Sequence, residues 1–285
     1  MAPQTDLWLV CNARSGSNDD AALEALHDSC GNHGLCISRT LSLPDDELPD
    51  AATLDAAGIA TLAVFGGDGT LNAAITKLYG WSGAVLVLPG GTMNLLPRRL
   101  HGDAEVEEIL GRVAQGGARK VRPSVIRSRH GDAFAGLLVG PGTRWSKVRE
   151  AMRDVDLSTM AEATIDAVRE TAVGPRVACV DPQLGDREGY PLIEMTPGET
   201  GAEIAAFKSE TAGEYVEQAL ALARRSFRDG PHEVLGVFAT LVLEDSEGTP
   251  LGMLIDGEQA DGTAAREELT VVKCEVDLLA SAHGC

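Results

Sequence analysis

The sequence lacks any run approaching the roughly 20 apolar residues that a membrane-spanning helix needs, which excludes a helical integral membrane protein. Its six cysteines, at 11, 30, 36, 179, 274 and 285, form no CxxC pair. Neither a zinc site nor a redox dithiol is indicated, and packing thiols are the expected role. Basic residues are also few. Against 43 Asp and Glu there are only 24 Lys and Arg, a formal net charge of −19. Such a field repels a phosphate polymer, so nucleic acid is not an expected partner. The same excess opposes standing attachment to anionic lipid and leaves room only for transient membrane contact through an apolar rim. The N-terminal residues lack the basic stretch and long apolar core of a signal peptide, so the expected location is cytoplasmic, at most peripheral at the membrane. Two nucleotide-binding signatures are missing as well. There is no GxxxxGK[ST] loop and no GxGxxG, so neither a P-loop nor a classical dinucleotide fold applies.

What is present suits two domains, for which 285 residues suffice. Residues 1–118 alternate short apolar runs with helical periodicity. Strands are expected at Leu7–Val10, Leu35–Ser38, Ile59–Phe65 and Ala84–Leu88, and helices at Asp19–His27 and Leu71–Leu78. Continuous apolar strands joined by helices predict an α/β domain with a parallel sheet covered on both faces, whose ligands bind at the C-terminal ends of the strands. Residues 119–285 change to β-like segments: Lys120–Arg127, Ala133–Val139, Val177–Val180, Glu233–Leu243, Leu251–Ile255 and Glu268–Leu279. These predict a mainly antiparallel β domain, interrupted by helical insertions at Lys147–Glu170 and Tyr215–Phe227, with the final segment able to pack back toward the first domain. Asp181–Gly201, rich in Gly, Pro and acids, reads as loop or weak strand.

Three turns follow the expected first-domain strands. Asn12-Ala13-Arg14-Ser15-Gly16 follows the first, Gly66-Gly67-Asp68-Gly69-Thr70-Leu71-Asn72 the third, and Pro89-Gly90-Gly91-Thr92-Met93-Asn94 the fourth. Glycines let the backbone approach a ligand with no Cβ in the way, and the N–H groups where Leu71 opens a helix face an anion. A bare phosphate would repel Asp68, so that carboxylate suits a partner of Mg²⁺ or of a hydroxyl. Each turn alone also fits an ordinary loop; their joint placement is what a nucleotide crevice requires.

In this order the three motifs closely resemble, over residues 6–116, the catalytic domain of the diacylglycerol kinase-like lipid kinases, a family that includes sphingosine kinases and is distantly related to NAD kinases and phosphofructokinases. The resemblance implies a kinase that transfers phosphate from ATP, with Mg²⁺, to a hydroxyl of a diacylglycerol-like or related lipid. It assigns nucleotide binding to Asn12, Ala13, Arg14, Ser15, Gly16, Gly66, Gly67, Asp68, Gly69, Thr70, Leu71, Asn72 and Thr92, and metal binding and catalysis to Asp68. Thr40, just after the second expected strand, matches a nucleotide contact by position, and a solvated turn threonine fits it equally. The family's closing Asp-Gly-Glu turn matches Asp256-Gly257-Glu258, which gives Glu258 the role of general base. Read alone, that stretch is also a plain Asp-Gly hairpin turn.

Departures from the pattern bear on activity. Leu95 follows Asn94 where the family often has an acid, and Val121-Arg122-Pro123-Ser124-Val125 stands where another Asp is usual. The acidic Asp-Asp-Gly segment of the family's second domain, linked with a structural metal, is not found. Two alternatives therefore stand beside the lipid kinase: a kinase of a soluble alcohol such as NAD, disfavoured because the chain has no Asn-Glu dipeptide, and a nucleotide-binding regulatory protein whose metal set has decayed. His101, His130 and His232 are expected in surface or structural roles, and exposed edges of a second-domain sheet admit a homodimer.

Overall fold

Strands that are apolar on both faces must be covered on both faces, and the first unit of the computed structural model follows that rule. The structure describes residues 5–12, 20–141, 175–207, 232–260 and 262–282. The expected insertions at Lys147–Glu170 and Tyr215–Phe227 lie outside the described residues, as do Ala13–Gly16. The chain divides into two units, 1–123 with 273–285, and 124–272. The boundary thus falls after Pro123 rather than at 118, and the last 13 residues return to the first unit.

In that unit β1 (Thr5–Asn12), α1 (Asp20–Asn32), β2 (Leu35–Leu43), α2 (Ala51–Ala56), β3 (Thr61–Gly66), α3 (Asp68–Lys77), β4 (Ala84–Pro89), α4 (Leu95–His101), α5 (Val106–Ala114) and β5 (Arg119–Val121) follow in order. They build one sheet ordered β2-β1-β3-β4-β18-β5, in which β18 (Asp277–Ala280) lies parallel to β4 and only β5 runs antiparallel. Leu7, Leu9, Phe65, Leu86 and Leu88 pack on one face with Leu26 and Cys30 of α1 and Ile109 and Leu110 of α5. Alternate residues Val10, Val64, Val85 and Val87 are equally buried. Fully burying each such side chain is worth about 2 kcal/mol.

The second unit is a β-sandwich. Its strands are β6 (Ser124–Ser128), β7 (Gly131–Ala133), β8 (Leu137–Pro141), β9 (Val177–Asp181), β10 (Gln183–Leu184), β11 (Leu192–Pro197), β12 (Ala202–Phe207), β13 (His232–Phe238), β14 (Thr240–Asp245), β15 (Leu251–Ile255), β16 (Glu258–Gln259) and β17 (Arg266–Lys273). They form two sheets, β10-β9-β14-β17-β6-β7 and β13-β12-β11-β8-β15-β16. Ile126, Cys179, Leu241, Leu243 and Leu269 of the one meet Leu137, Val139, Ile193, Met195, Ile204 and Met253 of the other in a single core.

Several expected elements are corrected. The run 120–127 breaks at Pro123, which cannot donate to a ladder, so β5 and β6 join different sheets. The run 268–279 likewise splits into β17 and β18. The stretch 181–201, read as loop or weak strand, contains β11, whose Ile193 and Met195 are core residues. Strand two continues to Leu43, and α3 opens at Asp68 rather than Leu71.

Candidate nucleotide site

Because β1, β3 and β4 are neighbours running in one direction, their C-terminal ends share one edge of the first sheet. The turns that leave those ends are knitted together. Asn12 Nδ2 donates to Thr70 Oγ1 at 2.9 Å, joining the first turn to the start of α3. The Gly90 amide donates to the Gly66 carbonyl at 3.2 Å. A Cβ on Gly91 would lie 2.5 Å from the Gly67 Cα and 3.3 Å from its nitrogen, so the second and third turns touch backbone to backbone and only glycine fits. Gly67 caps α3 from an extended conformation without a side-chain hydrogen bond, and the first amides of a helix have no acceptor within it. They point, with the helix dipole, at whatever occupies the edge.

Asp68 has a more specific place than its motif implies. The residue is buried, 9% exposed. Oδ2 accepts from the Leu95 amide at 3.1 Å and Oδ1 from the Leu96 amide at 3.0 Å, so it caps α4 from a neighbouring helix. The residue at α4's own cap position, Asn94, is left-handed (φ 51°, ψ 44°) and gives no capping bond. Its Oδ1 instead accepts from the Gly91 amide at 2.8 Å, closing the third turn. Asp68 is therefore an anchor between α3 and α4, stabilised by the positive ends of both. An Mg²⁺ ion takes hard oxygen ligands, generally one or two carboxylates together with substrate phosphates. With both oxygens already bound to amides, Asp68 can offer a metal only a shared oxygen, so an ion here would rest mainly on nucleotide phosphates and water. Among the described residues no group of three or more His, Cys, Asp or Glu side chains could hold a metal ion.

The remaining candidates divide clearly. Leu71 is fully buried, so only its backbone can serve a ligand, whereas Gly69 and Thr92 are exposed and Asn72 is half-buried. Thr40 is not just past a strand. It pairs with Leu9 inside β2, three residues before that strand's end, which is about 10 Å from the edge at the rise of a β-strand, and its Oγ1 lies 3.2 Å from His27 Nε2. Glu258 belongs to the other unit, where it is exposed and pairs with Ile255 across a two-residue turn. Both turn residues, Asp256 (φ 49°) and Gly257 (φ 87°), have the positive φ that a type I′ hairpin requires.

Of the two positions without the family's acid, Leu95 uses its amide on Asp68. Arg122 makes an ion pair with Asp277 of β18 at 2.7 Å. The histidines are structural: His101 is buried between Val87 and Ser281, His130 bonds to Glu267 at 3.0 Å, and His232 lies against Phe207 with ring centroids 5.9 Å apart. Sequence reasoning missed Asn94 and Asp256 as organising residues. For Asn94 a signal exists, since asparagine tolerates the left-handed region better than most residues.

Residues 6–125 match the family model of the diacylglycerol kinase catalytic domain. No curated protein matches the sequence. Among solved structures, one from Bacillus anthracis str. Sterne, assigned provisionally as a diacylglycerol kinase, aligns over 97% of both chains with a TM-score of 0.64 at 16% identity. Another from that organism, described as a diacylglycerol kinase, aligns over 97% of both chains with a TM-score of 0.59 at 16% identity. At such identity the likeness is one of fold, and it extends through both units. Residues 6–125 are thus similar to the diacylglycerol kinase catalytic domain, and the chain as a whole shares the fold of these two structures.

Proposed function

We propose that this protein is an ATP-dependent kinase that phosphorylates a hydroxyl of a diacylglycerol-like or related lipid. The observation that carries the reading is the joined edge of β1, β3 and β4. Asn12 is tied to Thr70, and Gly66 and Gly67 pack against Gly90 and Gly91 with no side chain between. Amides at the start of α3 and of Thr92 in the third turn hold the phosphates, and the absence of Cβ atoms lets the nucleotide come close to the backbone. Asp68 keeps α3 and α4 in register, so the two sets of amides stay aimed together. Bound Mg²⁺ supplies neutralisation of charge on the transferring phosphoryl group. Glu258 takes the proton of the acceptor hydroxyl as the new bond to phosphorus forms. No helix among the described residues is long and apolar enough to cross a membrane, and with a net charge of −19 the encounter with a lipid surface is brief.

A second reading, nucleotide binding without transfer, is favoured by one observation: Arg122, paired with Asp277, occupies the stretch where an acid is usual. Incubation with γ-labelled ATP, Mg²⁺ and a panel of acceptors separates the readings. The panel holds diacylglycerol and sphingoid bases in mixed micelles, and NAD in solution; Glu258→Gln is run alongside. Label in a lipid, lost in the variant, is the expected result. Label only in NAD replaces the acceptor class, and binding of ATP with no labelled product replaces the kinase reading itself.

A further inference from the structure

Asp256 is 6% exposed and sits at a left-handed φ of 49°. An Asp-Gly pair at a two-residue hairpin needs no function to explain it, because both residues tolerate positive φ. The carboxylate, however, does more than the turn requires. Its Oδ2 accepts from the Phe134 amide at 2.9 Å, and its Oδ1 accepts from the Ala135 and Gly136 amides at 2.8 and 3.1 Å. The Asp256 amide in turn donates to the Gly136 carbonyl at 3.0 Å. Phe134 to Gly136 is the stretch where the chain leaves β7 in one sheet of the sandwich and enters β8 in the other. The side chain two residues before Glu258 is thus fastened, through both oxygens, to the corner of the sandwich. Asparagine would serve the turn equally well but has one acceptor oxygen and an NH₂ that cannot face a third amide.

From this geometry we infer that Asp256 is a positioning residue, which aims Glu258 by clamping the hairpin that carries it to the backbone of Phe134, Ala135 and Gly136. The inference rests on the general-base role of Glu258 proposed above. Asp256 touches no reacting atom; it narrows the directions in which Glu258 can point.

Asp256→Asn, Glu258→Gln and the double variant test it in the lipid-kinase assay, together with amide hydrogen exchange over residues 256–259, which needs no substrate. Asp256→Asn is expected to lower kcat about 10- to 100-fold, the usual effect of removing a partner that orients a functional group, with KM for ATP unchanged. The double variant is expected to be no slower than Glu258→Gln, because a residue that acts through another costs nothing once the other is gone. Exchange over 256–259 should quicken in Asp256→Asn. Losses that multiply in the double variant would overturn the positioning role while leaving Glu258 as base. Unchanged exchange would overturn it without reference to activity. Parental activity in Glu258→Gln would remove the general base and the positioning role together.

Discussion

Acidification should unfold this protein in part through one histidine. His101 is 2% exposed. Its Nε2 lies 3.1 Å from the Val87 carbonyl, which can only accept, so Nε2 carries the proton, and Nδ1 accepts from the Ser281 hydroxyl at 2.9 Å. Burial, aided by the charge of Arg112 and opposed by the Val87 carbonyl, lowers the ring's pKa from 6.5 to about 4. The folded state therefore resists a proton that the unfolded state accepts. The stability this provides is complete above pH 6.5 and is lost as pH falls from there toward 4. Each unit of the gap is worth about 1.4 kcal/mol, so the whole effect is about 3 kcal/mol. Urea unfolding of the parent and of His101→Gln between pH 4.5 and 7.5 isolates it. Glutamine keeps a donor for Val87 and has no charge to gain. The parent should be the more stable at pH 7 and should lose stability more steeply than the variant below pH 6, by up to about 1.4 kcal/mol per pH unit. Parallel curves would refute the assignment of a buried neutral ring. The consequence reaches the site, because the Ser281 and Ala282 amides both donate to the Leu100 carbonyl at 3.0 Å and α4 is thereby tied to the returning C-terminal segment.

Three further outcomes follow from particular contacts. Burial, with the charge of Glu203 adding to it, raises the Glu194 carboxyl from 4.5 to about 7; ionising it costs stability as pH climbs through that range, so Glu194→Gln should stabilise at pH 8 and change little near pH 4.5, as thermal melts will show. Gly91→Ala drives a Cβ into the Gly67 backbone and should weaken ATP binding about tenfold or more, the equivalent of the 1–3 kcal/mol that overpacking costs, measured by titration calorimetry. Asp68→Asn leaves either the Leu95 or the Leu96 amide facing an NH₂ and should destabilise by about 1–2 kcal/mol in urea; unchanged stability would mean the α4 cap is not made.

How much of this was readable in the chain differs by unit. The first unit was legible because βαβ rhythm is local: Leu7–Val10, Ile59–Phe65 and Ala84–Leu88 are apolar runs bounded by turn residues, and the structure holds strands at all three. The neighbouring of β1, β3 and β4 followed from the glycine-rich turns at their ends. The helix α5 carries Val106, Ile109, Leu110 and Val113 at helical spacing, a signal that could have found it. Helix α2, six residues capped by Asp50, is too short for any periodicity. In the second unit, β11 hides in a stretch rich in Gly, Pro and acids because its burial depends on pairing not only with its hairpin partner β12 but also with β8, which is distant in sequence. The chemistry of Asp68 and Asp256 was not legible at all. Their motifs mark them as polar turn residues, but which amides they cap depends on backbone that approaches from 27 to 28 and from about 120 residues away.

The most direct test of the account is a crystal structure of the full chain with a non-hydrolysable ATP analogue and Mg²⁺. It predicts phosphate oxygens within hydrogen-bond reach of the amides at the start of α3 and of Thr92, with Asn12 and Thr70 alongside. A triphosphate bound elsewhere, for instance in the groove of about 990 Å³ that Arg127, Arg129 and Arg266 line on the second unit, would contradict it.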